Sequence, residues 1–222
     1  AGYAAVKDGY RNLGFLGAWT IPEITRYGFG FLEGAEAAAA DLNLEEKSVQ
    51  MKFHYTFDWS GSDNNYASRW YEDGTEVIFA YPNILDTSII NAAREGENRK
   101  VIGSDSDEYY TRAAEGAENE PTIITSVMKG YEKLTYNILS AAFAGGSEWT
   151  FYTENGLQDV GAAQEAVMLA PYRSVNWNTL SKADYDALLN KAAEAHATIP
   201  TEEDAVNGMP SKEYYYLDLQ TN

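Results

Sequence analysis

At 222 residues with 45% of them hydrophobic, the chain can bury a sizeable core as one large domain or two small ones, which excludes a disordered chain. Against 16 Lys and Arg stand 34 Asp and Glu, a net charge of −18 and a pI of about 4.4, so neither nucleic acid nor an anionic membrane surface fits as partner. Zero cysteines exclude disulfide scaffolds, iron–sulfur clusters, Cys-ligated zinc and Cys nucleophiles, and no run of eighteen apolar residues is present to form a membrane span.

The chain starts at Ala1 rather than Met, so a mature or shortened piece is expected. Residues 1–11 read as the tail of a small-residue helix closed by Asp8 and Gly9. Residues 12–16 form a short apolar strand. Pro22 then suits the first turn of a helix, with Thr20 as N-cap and Glu23 at the positive end of the helix dipole. In that helix Ile24, Tyr27, Phe31, Ala35, Ala38 and Leu42 recur at three- and four-residue spacing. Gly28, Gly30 and Gly34 lower its propensity and are read as letting it sit close on a sheet.

A second strand spans 48–57, alternating and aromatic-rich, and ends in a polar loop through Trp59. A helix from Tyr66 leads to Gly74 and to a strand at 77–80 apolar enough for burial on both faces. Tyr81, Pro82 and Asn83 break the chain, and Asp86 or Thr87 caps a helix running through Ala93. Residues 129–144 read as an amphipathic helix stopped by Gly145 and Gly146. After it come a strand at 148–152, a loop across 153–170, a helix at 181–197 capped by Ser181, and a last strand at 213–219. Strands alternating with helices over some 130 residues predict a three-layer α/β sandwich with a mainly parallel sheet.

Residues 100–129 carry the most chemistry. A strand through Val101 and Ile102 runs to Gly103 and an acidic tip of Asp105, Asp107 and Glu108. An acidic loop follows, and a second strand at 122–126 leads on to Lys129. Open α/β sheets build ligand sites where strand ends deliver polar groups to one place. By residue type alone, a solvated acidic loop fits as well.

Other chemistries find little support. The two histidines, His54 and His196, lie in a strand pattern and near a helix end, and there is no Cys or HExxH pattern, so neither a metal site nor a triad is expected. Asp105 and Asp107 match the first two positions of a calcium loop, but Tyr109 and Tyr110 stand where a ligand and the glycine belong. No dinucleotide or P-loop glycine motif follows a strand. A glycosidase would need two carboxylates across a cleft, and 34 acids single out no pair. Trp19, Phe57, Trp59 and Tyr81 all fall at strand ends or just after them. Either they pack the rim, or they offer faces to a flat ring while Asp105 accepts from vicinal hydroxyls, as a nucleoside or a sugar requires.

Four segments resemble the BMP (basic membrane protein) family of ABC-transporter substrate-binding lipoproteins, typified by purine nucleoside receptors. They are NLGFLGAWTIPEITRYGFGFLEG at 12–34, WYEDGTEVIFA at 70–80, VIGSDSDE at 101–108 and ITSVMKG at 124–130; DYDALL at 184–189 fits the family's closing helix. The resemblance implies a type I periplasmic-binding architecture, two α/β lobes closing on a ligand. It implies that roughly the first third, with any lipid-anchoring Cys, precedes this chain. Residues 1–170 would then be the second lobe, and 171–222 the segment that crosses back to the first.

Carried over, Asp105 matches the carboxylate that binds ribose hydroxyls, Phe57 the aromatic that stacks on the base, with Trp59 as the alternative, and Trp19 a cleft-facing position. Two departures stand out. The family's Gly-Gly loop after the third strand is Tyr81-Pro82-Asn83. Its Gly-x-Lys-Asp segment is Gly156-Leu157-Gln158-Asp159, or else aligns at Ala163-Gln164-Glu165, so Gln158 replaces a ligand-reaching Lys and base recognition is expected to differ. The implied activity is capture of a nucleoside-like solute for an ABC permease, without cofactor, metal or catalysis. A sugar receptor of the same fold or a carboxylate-dependent glycosidase is the alternative. The uncovered cleft face could also pair two copies.

Overall fold

Apolar runs long enough for a strand but too short for a helix recur along the chain, and each becomes a buried strand. The computed structural model describes residues 1–56, 64–82, 86–114, 120–154, 160–194 and 215–219. After a first helix, α1 (Gly2–Lys7), come β1 (Asn12–Gly17), α2 (Pro22–Asp41), β2 (Val49–Tyr55), α3 (Asn64–Glu72), β3 (Val77–Tyr81) and α4 (Asp86–Arg94). Then follow β4 (Lys100–Asp105), α5 (Glu108–Ala114), β5 (Ile123–Lys129), α6 (Tyr131–Ala144), α7 (Gly146–Thr153), β6 (Val167–Leu169), α8 (Lys182–Glu194) and β7 (Tyr215–Leu219). All these strands belong to one sheet of order β6-β5-β4-β3-β1-β2-β7, parallel throughout except for β6, which runs antiparallel to β5.

The order reverses at β1. From β1 the chain moves to β2 on one side, then returns past β1 to β3 and proceeds outward to β5. Right-handed crossovers in opposite directions put their helices on opposite faces. Accordingly α2 packs on β1 and β2 together with α1, while α3 packs on α4, which covers β3 and β4. The crevice between β1 and β3 at the carboxyl edge is therefore the topological switch point.

Aromatic side chains fill the α2 face. Phe15 lies 4.7 Å from Phe53 and 5.5 Å from Phe79, centroid to centroid, one ring from each of three adjacent strands. All three are buried, and each such burial contributes about 1.5–3 kcal/mol. Gly28 is what lets α2 approach them: a Cβ there would stand 2.5 Å from the Phe53 ring and 2.7 Å from that of Phe15. Gly34 faces α1 instead, where a Cβ would come within 3.0 Å of the Tyr3 backbone nitrogen.

Residues from 171 onward that are described lie against the same sheet and helices. Leu180, Tyr185 and Leu188 form a small second core with Ala4 of α1. The buried Asp8 carboxylate accepts from the backbone N–H groups of Asn178, Thr179 and Leu180 at 2.8, 2.6 and 2.8 Å, and from the Thr179 hydroxyl. β7 pairs with β2 in parallel from Val49↔Tyr215 to Phe53↔Leu219.

Several sequence expectations need correction. The N-cap of α2 is Ile21 rather than Thr20, with no side-chain cap, and Leu42 lies exposed beyond the helix. Residues 148–152 belong to α7, not a strand: the positive φ of Gly145 and Gly146 (68° and 67°) turns the chain into a second helix. The tip after Asp105 starts α5, with the Asp107 carboxylate accepting from the Tyr110 N–H at 3.1 Å as a cap. Glu120, at the end of the acidic loop that follows the tip, is buried and paired with Arg94 and Thr122. Helix α6 buries only Ala141 and leaves Tyr131, Tyr136, Leu139 and Phe143 exposed. Ser181 does cap α8, accepting from the Asp184 N–H at 3.2 Å.

Candidate functional site

The carboxyl ends of the central strands are locked level with one another. Gly17 stands beside Tyr55 on one side and Tyr81 on the other, and the Ala18 N–H donates to the Tyr81 carbonyl at 2.9 Å. At this edge four elements meet in one polar cluster. Lys129, at the end of β5, reaches Asp105 Oδ1 at the end of β4 (3.0 Å) and Glu23 Oε1 in the first turn of α2 (2.5 Å). Tyr81, closing β3, donates its hydroxyl to the same Glu23 oxygen at 2.6 Å. The Tyr27 ring of α2 stacks on that of Tyr81 at 4.0 Å, and the Lys129 ammonium stands 5.5 Å from the Tyr81 centroid and 5.9 Å from that of Tyr131.

The sequence builds this arrangement locally. Apolar residues hold β4 and β5 in the core up to Ser104 and Val127, and the next residues emerge at the edge, Asp105 beside Met128 and Lys129 one further on. Asp105 adopts a left-handed backbone (φ 66°), which Asp tolerates better than most residues, and this turns the chain from strand toward α5. Gly103 leaves room beneath: a Cβ there would meet the Glu108 side chain at 2.6 Å. Glu108 is buried, accepting from Ser106 at 2.9 Å and pairing with Arg112 at 3.3 Å, while Ser126 Oγ accepts from the Glu108 N–H at 3.1 Å. Ser126 and Glu108 thus anchor α5, and Asp105 with Lys129 faces the edge.

Charges at the edge hold one another in their ionised forms. Burial by itself would lower the Lys129 ammonium, but its hydrogen bonds with Glu23, Tyr81 and Asp105 outweigh that and hold it above the ordinary lysine range. Glu23 is held below the usual carboxylate range by Lys129 and then by Tyr81, against a smaller opposing effect of burial. Burial, reinforced by the bond to Glu23, raises the Tyr81 hydroxyl. Burial also pushes Tyr27 up to about 12. Both phenols are therefore neutral at physiological pH, and both carry a ring face and a hydroxyl at the edge.

The sequence-predicted residues divide in two. Asp105 is where expected, at the end of β4 beside Lys129, and Trp19 follows β1, half-buried and packed against the main core. Phe57, Trp59 and Gln158 lie outside the described residues, as does His196. Glu23 and Tyr27 were missed as site residues. Glu23 reads as a helix-dipole acid and Tyr27 as one step of an apolar stripe, and the available signal was their place in the first turns of α2, the helix that follows β1. Among the described residues no group of His, Cys, Asp and Glu could hold a metal ion, and no helix is long and apolar enough to cross a membrane.

The doubly wound α/β layer gathers charged and aromatic groups at its switch point, where open α/β sheets bind ligands. A family model, "Bmp: ABC transporter substrate-binding protein PnrA-like", matches residues 1–200. The chain belongs to this Bmp family.

Basic membrane protein D of Borreliella burgdorferi (strain JD1) is 26% identical over 201 residues, covering 90% of this chain and 52% of the relative. The ABC transporter nucleoside-binding protein BmpA of Lactococcus lactis subsp. cremoris (strain MG1363) is 24% identical over 175 residues, 72% of this chain and 48% of the relative. The chain thus spans about half the length of these curated relatives. Among solved structures, a solute-binding protein of an ABC transporter system from Aeropyrum pernix K1 superposes with a TM-score of 0.65 at 16% identity, covering 93% of this chain and 65% of that one. Another from Conexibacter woesei DSM 14684 gives 0.60 at 19%, covering 90% and 61%. These two likenesses bear on the fold: an α/β lobe of the kind solute-binding proteins use.

Proposed function

We propose that the whole protein is the extracytoplasmic solute-binding component of an ABC importer and takes a nucleoside-like ligand in a cleft between two lobes. The single observation that carries this reading is the cluster of Asp105, Lys129, Glu23 and Tyr81 at the switch point of the sheet. Residues 1–170 are the second lobe, and 171–222 include the segment that in the family returns toward the first. Asp105 accepts from two vicinal hydroxyls of a ribose through its carboxylate oxygens. Phe57, or Trp59 in its stead, stacks on the base, Trp19 borders the cleft and Gln158 contacts the base edge. Binding draws the lobes together by hinge motion, and the closed form is what a membrane permease recognises. No bond is made or broken. The full-length form is anchored to the cell membrane as a lipoprotein.

Calorimetric titration of the full-length protein with nucleosides and with free sugars, alongside an assay for released base, tests the reading. Expected are saturable binding of at least one nucleoside, no turnover, and loss of tenfold or more in affinity in Asp105→Asn. That substitution keeps the shape and the tolerance of a left-handed backbone while removing the charge. Release of base, or binding of free sugars in preference to nucleosides, would overturn it.

A further inference from the structure

Lys129 is the cation beside Asp105, and a phosphate on a bound sugar would look for such a cation. Its ammonium has three N–H donors. It stands between two carboxylates, 3.0 Å from Asp105 Oδ1 and 2.5 Å from Glu23 Oε1, with the Tyr81 ring centroid 5.5 Å away. Glu23 is in turn fixed by the Tyr81 hydroxyl, so it is held in place from both sides. With two carboxylates and one ammonium, the Asp105–Lys129–Glu23 cluster carries a net charge of −1, inside a chain that carries −18.

Resting on the reading above, we propose that Glu23 is a specificity-determining residue through which the site rejects phosphorylated ligands. It holds the Lys129 donor that a phosphate would use and contributes the negative charge that repels one. A neutral nucleoside asks for acceptors for its hydroxyls, which Asp105 provides. A nucleoside 5′-monophosphate brings about 1.5 to 2 further negative charges, and to reach the Lys129 ammonium its oxygens must compete with two carboxylates already paired with it. Neither the dipole of α2 nor the packing of its first turn requires an acid whose carboxylate turns away from the helix toward β3 and β5. Sequence gives no hint of this role, because an acid in a first helical turn has an ordinary explanation in the dipole.

The test uses the full-length protein and, of adenosine, guanosine, cytidine and uridine, the nucleoside it binds most tightly, together with that nucleoside's 5′-monophosphate. The quantity read is the ratio of the two dissociation constants, which a purely structural effect on the cleft would leave in place. Expected are a preference of a hundredfold or more for the nucleoside in the wild type, a tenfold or greater narrowing in Glu23→Gln, and recovery of most of the preference in Glu23→Asp. A ratio in Glu23→Gln within twofold of wild type overturns the role of Glu23 while leaving nucleoside binding intact. A wild type that binds none of the four nucleosides overturns the reading of the site itself, a different and separately visible failure.

Discussion

Asp8 and Asp105 are both carboxylates at the end of an element, and they do different things. Asp8 follows α1, is 3% exposed, and spends its oxygens on the backbone of residues 178–180. Asp105 ends β4, is 20% exposed as a side chain, and is balanced by a lysine that also serves a second carboxylate. The first acid is enclosed by N–H groups that have no other use. The second stands at the sheet edge in an ion-paired cluster with Lys129 and Glu23. An acid is a clamp when the chain closes over it, and a candidate for ligand contact when the chain leaves it at a sheet edge beside a paired lysine.

The sharpest way to break that distinction is to remove each acid in turn and read both stability and binding. Asp8→Ala strands three backbone donors in a buried position, and each lost or unsatisfied bond of this kind costs on the order of 1–3 kcal/mol. We expect a loss of about 3 kcal/mol in urea unfolding with nucleoside affinity unchanged, measured under conditions where the protein is still folded. Asp105→Asn should do the reverse: at least tenfold weaker binding, about 1.4 kcal/mol or more, and a change in stability under about 1 kcal/mol. If Asp8→Ala abolished binding while leaving stability intact, the assignment of roles would be wrong.

The pH dependence comes next in size. Glu120 is buried; desolvation pushes it up, but the bonds from Arg94 and Thr122 prevail and hold it below its ordinary 4.5. Glu23 is held down by Lys129. A carboxyl group whose folded value is lowered stabilises the fold above its unfolded value, and that contribution is lost as pH falls through the folded value. Stability should therefore be flat with respect to these two groups from neutral pH to about 4.5 and decline below it. Glu120→Gln should flatten part of that decline, as followed by midpoints of urea unfolding at stepped pH. An unchanged slope in Glu120→Gln would mean that Glu120 titrates alike in both states.

Much of the fold was legible because a parallel sheet leaves an unambiguous trace: runs such as Val77–Tyr81 are apolar at every position, which only burial on both faces explains. Legibility ended where tertiary context outweighed composition. In α7 an aromatic-rich stretch looks like a strand, yet the two preceding glycines turn it into a helix beside α6. In α5 the acidic tip masks a cap, Asp107, that is visible only once Tyr110 is known to lie above it. In the candidate site, the position of Asp105 at the carboxyl edge was legible because it ends a predicted strand. Glu23 was not, because its partners Tyr81 and Lys129 lie 58 and 106 positions away in the chain and no local pattern joins them.

The smallest effect concerns a third carboxylate and decides whether burial or pairing makes an acid structural. Asp41, at the end of α2, is exposed, accepts from the Tyr3 hydroxyl at 2.7 Å and pairs with Lys191 of α8. Lys191 and then Tyr3 hold it below the usual carboxylate range, so by titration alone it resembles Glu23. It nevertheless faces water, where a pair gains little Coulomb energy, orders two long side chains and is screened by salt. Asp41→Asn should therefore leave the urea midpoint unchanged within error at physiological ionic strength, even though it joins the same two ends of the chain that Asp8 joins. A shift as large as that of Asp8→Ala would show that the tie between α2 and α8 depends on this pair. Burial would then no longer explain why one acid clamps the chain and another does not.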